Sequence, residues 1–398
     1  MIPESTMTSD LVTAAAELWP GSEVVRADVP PDGRPVRARY AVLARGAVPK
    51  MLVPVEPSTA ASASLRRASG ADGLRGSVQR AAAGAAVGAA PGLLRQRVEV
   101  RGGENGLDEL IGSVLGEAVS FSVSIGTARV NRKPVLQVFD RTGRCRAFGK
   151  VGWAAHTCAD VEAEGRALAA IGGRRFDHLV PPALLARTRW EGRPVLLTAP
   201  LVPRGWRTLR VGRSSWKPPT AAMRELNAHF AETPAPLLQA PWWARQWQEV
   251  GRLADVVTRG RLARAMEQVA QLAGDRPLAW GAWHGDWTPW NMASDGHRTL
   301  LWDWERFETG VPAGLDAVHY VLNVATAGAP ATADKVLQGL HLAVRGGGWP
   351  EGERELTARL YLVAILVRYL RLVAVPGGEH IAPRAAQVLI ALERLSAG

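Results

Sequence analysis

The stretch Trp283–Met292, WHGDWTPWNM, is followed shortly by Leu301–Glu305, LWDWE. Between them, Asp295-Gly296 is a strong turn signal separating two short apolar runs, so the chain reads as a loop leading into a hairpin. A tight hairpin returns the chain to its starting point and brings Asn291 near Asp303, with Asp286 five residues upstream of Asn291. Asparagine and aspartate oxygens suit Mg²⁺, which takes a few protein groups and leaves its other positions to water and substrate phosphates. A carboxylate beside such an ion can orient an attacking hydroxyl and accept its proton. Asp286, Asn291 and Asp303 suffice for that chemistry. Trp283, Trp287, Trp290, Trp302 and Trp304 read mainly as walls, because an indole buries a large area. Two residues stay open. Trp287 is a wall or the floor of an acceptor site, and Glu305 is an acceptor-binding carboxylate or a partner for Arg306.

Upstream, a second polar pair stands out in a chain with only five lysines. The runs VSFSVSIGTA, KPVLQVFD and CRAFGKVG alternate as paired strands, and the third carries Lys150. The helix DVEAEGRALAAIGG follows, then two more strands around Glu191-Gly192. Glu164 shares a helix face with Leu168 and Ile171, which dock the helix on the sheet. Glu162 points about 200° away. Glu164 is therefore the expected partner of Lys150, and an ammonium at nucleotide phosphates needs such a carboxylate to hold it. Beyond Leu201 the pattern is helical, over 219–231, 241–256, 259–273, 314–327, 332–345, 353–374 and 382–396. The first 115 residues read as a helix, a hairpin (37–44 with 50–57), further helices and a strand at 97–102. They carry no recognisable chemistry and either extend the sheet or form a separate layer.

HGDWTPWN followed by WDWE resembles the HGD-x4-N and downstream aspartate pattern of the aminoglycoside phosphotransferase and choline kinase superfamily, a branch of the protein-kinase-like fold. The resemblance spans residues from about 116 to about 330. It implies an α+β, bilobal protein-kinase-like fold with a five-stranded antiparallel N-lobe carrying one helix, and a mainly helical C-lobe. To these the sequence adds an N-terminal α/β extension, giving regions 1–115, 116–200 and 201–398. Carried onto these residues, the resemblance makes Asp286 the catalytic base and Asn291 and Asp303 the metal ligands. It places Lys150 at the nucleotide phosphates with Glu164 anchoring it. The segment Thr198-Ala199-Pro200-Leu201 becomes the hinge, where Ala199 and Leu201 offer backbone groups to adenine. Asp316 and His284 become structural supports of the catalytic loop. ATP and Mg²⁺ are the implied cofactors. The sequence departs from the pattern in its nucleotide loop, SIGTARVNRK, whose single glycine is Gly126, and in the bulky Trp304 beside Asp303.

The implied activity is transfer of the γ-phosphoryl group to a hydroxyl of a small molecule, whether a sugar, a polyol or an aminoglycoside-like acceptor. The alternative is a catalytically weak nucleotide-binding regulator or scaffold, suggested by the glycine-poor loop and the large N-terminal region. A net charge of +11 invites a nucleic-acid partner, yet the basic residues are dispersed. Residues 220–330, which hold the opening motif, carry 9 basic and 12 acidic side chains, so the motif sits in an acidic stretch. No nucleic-acid partner is expected. Arg204, Arg207, Arg210 and Arg213 read as a solvated face or an anion contact, and the run at 81–90 as a small-residue helix. The longest bulky apolar run, 360–367, is too short to span a bilayer. No export signal opens the chain, and two cysteines do not make a disulfide framework, so a reduced cytoplasm is expected. Protein partners are not legible.

Overall fold

The computed structural model describes residues 10–45, 48–67, 96–125, 133–201, 217–328, 332–346 and 351–396. The run at 81–90, Gly126 and the four arginines at 204–213 lie outside the described residues. The chain divides into two compact units, one of residues 1–169 and 182–200, the other of 170–181 and 201–398.

The first unit is built on one antiparallel sheet. Its strands are β1 (Ser22–Arg26), β2 (Val36–Arg45), β3 (Val48–Pro54), β4 (Arg97–Gly102), β5 (Ser120–Ile125), β6 (Pro134–Phe139) and β7 (Cys145–Val151). The short β8 (Leu179–Val180) belongs to the other unit, and β9 (Leu184–Trp190) and β10 (Arg193–Thr198) complete this one. The order is β1-β4-β2-β3-β5-β6-β7-β10-β9. The five strands expected within residues 116–200 are β5, β6, β7, β9 and β10, and the N-terminal strands extend their sheet to nine. The first four strands join the other five through β3 and β5, where Met51 faces Ser124 and Leu52 faces Val123. The physical reason is the edge of β5. An uncovered row of backbone donors and acceptors is a pairing site, and the N-terminal strands fill it. The sequence shows such strands but not which edge they choose.

One face of this sheet forms a continuous core, in which Tyr40, Val98, Val100, Phe121, Val123, Leu136, Val138 and Leu197 are buried together. Trp19 stacks on Phe121 with ring centroids 5.3 Å apart, and Leu107 and Ile111 of helix Leu107–Leu115 join the same cluster. On β4, buried Glu99 is satisfied by Arg101 at 2.7 Å and Arg39 at 3.0 Å. Helix Ala155–Ile171 starts where the Thr157 hydroxyl accepts from the Trp153 and Ala154 N–H groups. Its buried positions Val161, Glu164, Leu168 and Ile171 fall at helical spacing.

The second unit contains two small sheets and seven helices among the described residues. Strands β11 (Glu232–Pro236), β12 (Pro277–Trp283) and β15 (Glu308–Pro312) pair in the order β11-β12-β15. Strands β13 (Met292–Ser294) and β14 (Thr299–Leu301) form the expected hairpin around Asp295-Gly296, and β14 also pairs in parallel with β8. The helices are Thr220–His229, Pro241–Gly251, Val256–Ala273, Leu315–Ala325, Ala333–Gly346, Glu351–Val373 and Ala382–Ser396. Helix Leu315–Ala325 is apolar on most sides and correspondingly buried, so it serves as the spine behind the opening motif.

Candidate active site

The loop that leaves β12 carries His284, Gly285 and Asp286. Its path is fixed by buried Asp316, whose carboxylate accepts from the N–H of His284 at 2.7 Å and of Gly285 at 3.0 Å. Burial pushes the Asp316 carboxyl up to about 7, against the pull of those two donors. Gly285 has φ +78°, and a Cβ there would meet the Arg306 carbonyl oxygen at 2.4 Å. Only glycine fits both the left-handed backbone and the close approach.

His284 ties the two halves of the motif together. Its Nδ1 accepts from the Asp286 N–H at 3.2 Å, so its Nε2 carries the proton and donates to the Trp302 carbonyl at 3.1 Å. The ring is fully buried and needs its lone pair. Burial accordingly lowers its pKa to about 4, keeping it neutral. The Trp302 N–H in turn donates to the Asn291 carbonyl at 3.1 Å, so Asp303 follows directly beyond the pair that closes the hairpin.

Asp286 is held from two sides. Asn291 donates its Nδ2 to Asp286 Oδ2 at 2.8 Å and to the Asp286 carbonyl at 3.0 Å. On the other oxygen, Oδ1, sits His319 Nε2 at 3.3 Å, while His319 Nδ1 lies 3.1 Å from the Tyr361 hydroxyl. The carboxylate cannot donate, so His319 Nε2 carries the proton and Nδ1 accepts from Tyr361. The Asp286 side chain is still 41% exposed, open to a ligand. Burial pushes its carboxyl up, but the hydrogen bond from His319 and the charge of Arg368 hold it below the usual carboxylate range. Burial lowers the His319 pKa against the pull of the Asp286 carboxylate. Arg368 donates to the Gly285 carbonyl and lies over the Trp283 ring at 4.9 Å, bracing the loop from behind.

The donor set at the hairpin mouth fits a divalent cation of the oxygen-seeking kind. Asn291 spends its amide N–H groups on Asp286, which leaves its Oδ1 as the oxygen that could ligate a cation. Asp303 is one of three non-glycine residues with positive φ among the described residues, at +64°. Such a backbone is costly for aspartate and is kept where the side chain must be aimed. Among the described residues there is no group of three or more His, Cys, Asp or Glu that could hold a metal ion. Asn291 and Asp303 could supply two oxygen ligands, with the remaining positions of a magnesium ion left to phosphates and water.

Several expectations meet the geometry differently. Trp287, left open between wall and acceptor floor, is 0% exposed and packs edge-on against His284 at 6.0 Å, as a wall does. Trp304 is equally buried, lies 4.7 Å edge-on to the same ring and donates to the Leu301 carbonyl. An indole at the centre of the motif is the cheapest way to fill its interior. Trp290 is the tryptophan of the motif that faces solvent. Glu305 is half-buried, with Arg306 at 3.7 Å. Reasoning from sequence missed His319, Tyr361 and Arg368. The available signal for His319 was its place three residues after Asp316 on one helix face.

In the other unit, Lys150 of β7 meets Glu164 of helix Ala155–Ile171 at 2.5 Å, both largely buried. Glu162 instead meets Arg189 at 2.5 Å on the surface. The Ala199 N–H is taken by the Ala183 carbonyl at 2.8 Å, so its carbonyl is the backbone group it can offer to a base. Leu201 follows just past β10, half-buried.

No family model and no curated protein matches the chain. Among solved structures, a thermostable mutant of an aminoglycoside phosphotransferase in ternary complex with ADP and hygromycin B aligns at a TM-score of 0.50. The identity is 16%, and the alignment covers 73% of this chain and 99% of that one. The apo form of such a mutant aligns at 0.47, with 15% identity over 73% and 100% of the two chains. A protein described as a fructosamine-3-kinase from Haemophilus somnus aligns at 0.43, with 10% identity over 73% and 96%. The first of these alignments carries the likeness of fold. Together with the strand–strand–strand–helix–strand–strand order around Lys150 and Glu164, it shows that this chain has the kinase-like fold of the aminoglycoside phosphotransferases.

Proposed function

We propose that this protein is an ATP- and Mg²⁺-dependent phosphotransferase that moves the γ-phosphoryl group to a hydroxyl of a small molecule. The observation that carries the reading is the Asp286 carboxylate. It is ionised, fixed on both oxygens by Asn291 and His319, and still open to a ligand. A base of this kind needs to be pre-aimed more than strongly basic, because phosphoryl transfer depends on positioning and charge compensation.

Asp286 accepts the hydroxyl proton as the acceptor oxygen bonds to the γ-phosphorus and the bond from phosphorus to the β–γ bridging oxygen breaks, releasing ADP. Asn291 and Asp303 would hold Mg²⁺, which supplies charge compensation for the phosphates when bound. Lys150 offers its ammonium to the α- and β-phosphates, and Glu164 fixes the direction of that ammonium. Ala199 and Leu201 are the backbone contacts for the base. His284 and Asp316 keep the loop in shape and take no part in the proton transfer.

The test is incubation with γ-labelled ATP and a metabolite pool, followed by identification of the compound that gains label. Transfer to a hydroxyl compound supports the reading. Binding of Mg-ATP without transfer across a broad pool contradicts it and favours a regulator.

A further inference from the structure

On helix Leu315–Ala325, His319 and Asn323 lie one turn apart, with the Asn323 Nδ2 donating to the His319 carbonyl at 2.9 Å. From the last helix, Ala382–Ser396, Arg384 reaches this face: its Nη2 is 3.4 Å from Asn323 Oδ1 and 3.5 Å from Thr326 Oγ1. Its guanidinium also lies 5.5 Å from the ring of Tyr369, beside Arg368 on helix Glu351–Val373. Arg384 is therefore linked through Asn323 and His319 to the Asp286 carboxylate, and Arg368 is bonded to the residue before it.

The other arginines with recorded ion pairs on these two helices are neutralised. Arg359 meets Glu355 at 2.6 Å, Arg371 meets Glu249 at 3.2 Å and Arg394 meets Asp334 at 2.7 Å. Arg368 and Arg384 have no carboxylate within ion-pair distance among the described residues, although both are half-buried. Among the described residues the hydrogen bonds of Arg384 are these two long ones, both from one nitrogen. Half-burying a guanidinium without an anion is costly, and its planar fork is suited to bidentate contact with a carboxylate or phosphate. A polycationic acceptor would meet two like charges here.

We infer that the acceptor carries an anionic group, a carboxylate or a phosphate monoester, and that Arg384 reads it while the acceptor hydroxyl lies at Asp286. The inference rests on the phosphotransferase reading for the role of Asp286, but the charge preference is a property of binding and can be measured without turnover.

Four hexoses of similar shape and different charge supply the probes: glucuronate, glucose 6-phosphate, glucose and glucosamine. Each is titrated calorimetrically into the full chain with Mg-AMP-PNP, and ADP release from Mg-ATP is followed in parallel. At least one anionic hexose should bind about tenfold or more tightly than glucose, and glucosamine should bind most weakly. Arg384→Gln should collapse that preference, and Arg384→Lys, which keeps the charge but loses the fork, should restore part of it. Equal affinity for all four hexoses, including no measurable binding of any, would overturn the inference, as would tightest binding of glucosamine. Arg384-dependent binding of the anionic hexoses with no phosphoryl transfer would uphold it and overturn the phosphotransferase reading instead.

Discussion

His319 Nε2 stands 3.3 Å from Asp286 Oδ1, with the opposite edge of the same imidazole 3.1 Å from the Tyr361 hydroxyl. A buried histidine thus fixes one oxygen of the candidate base while Asn291 fixes the other. Replacing His319 by alanine should lower kcat by about 10- to 100-fold, the worth of one hydrogen bond to a charged group. Nucleotide affinity should stay the same. His319→Gln, which can restore an N–H near the Nε2 position, should recover part of the loss. Steady-state kinetics with kcat and KM separated checks this, and a loss confined to nucleotide KM contradicts a positioning role.

The Lys150–Glu164 pair makes a different prediction. Glu164→Gln removes the charge that directs the ammonium, so Mg-ATP affinity should fall by on the order of tenfold or more. The Glu162→Gln change, on a residue that meets Arg189 on the surface, should leave that affinity within about twofold. Calorimetric titration of AMP-PNP distinguishes them.

His284 gives a pH signature. Its folded pKa of about 4 lies below its ordinary value of about 6.5, so the unfolded chain binds the proton first as pH falls. The stability that neutral His284 contributes is present above pH about 6.5 and is lost on acidification from about 6.5 to about 4. Compared with a His284→Asn variant, which lacks this titration, the wild-type advantage should shrink across that window by on the order of 3 kcal/mol. Urea unfolding at a series of pH values measures the difference, and an advantage that grows on acidification contradicts the assignment.

Gly285→Ala should destabilise the loop by about 1–3 kcal/mol, since φ is +78° and the added methyl would strike the Arg306 carbonyl. Because Asp286 is the next residue, activity should fall by more than the stability loss explains. Thermal unfolding and turnover on the same preparation check both.

The placement of the candidate site residues was legible in the sequence where it depended on local spacing. Asp286, Asn291 and Asp303 are placed by one loop and one tight hairpin, and Asp295-Gly296 announces that hairpin. Glu164 was separable from Glu162 because helix geometry sends them to different faces. What was not legible depends on long-range pairing. The four N-terminal strands read as strands, but their attachment to β5 rests on two residue pairs with no marker in the sequence. Tyr361, Arg368 and Arg384 come to His319, Gly285 and Asn323 around Asp286 from helices 75 or more residues beyond it, and nothing in their own neighbourhoods signals it. The sequence favoured a wall for Trp287 without excluding an acceptor floor, because an indole beside a candidate base can serve as either. Its complete burial decides for the wall.

The most direct test of the account is label transfer by the wild type and by Asp286→Asn, using γ-labelled Mg-ATP and a fractionated metabolite pool. The wild type should place label on a hydroxyl compound, and the variant should do so at least about 100-fold more slowly with nearly unchanged nucleotide affinity. Equal transfer by the two proteins, or nucleotide binding by the wild type with no transfer to any fraction, would contradict it.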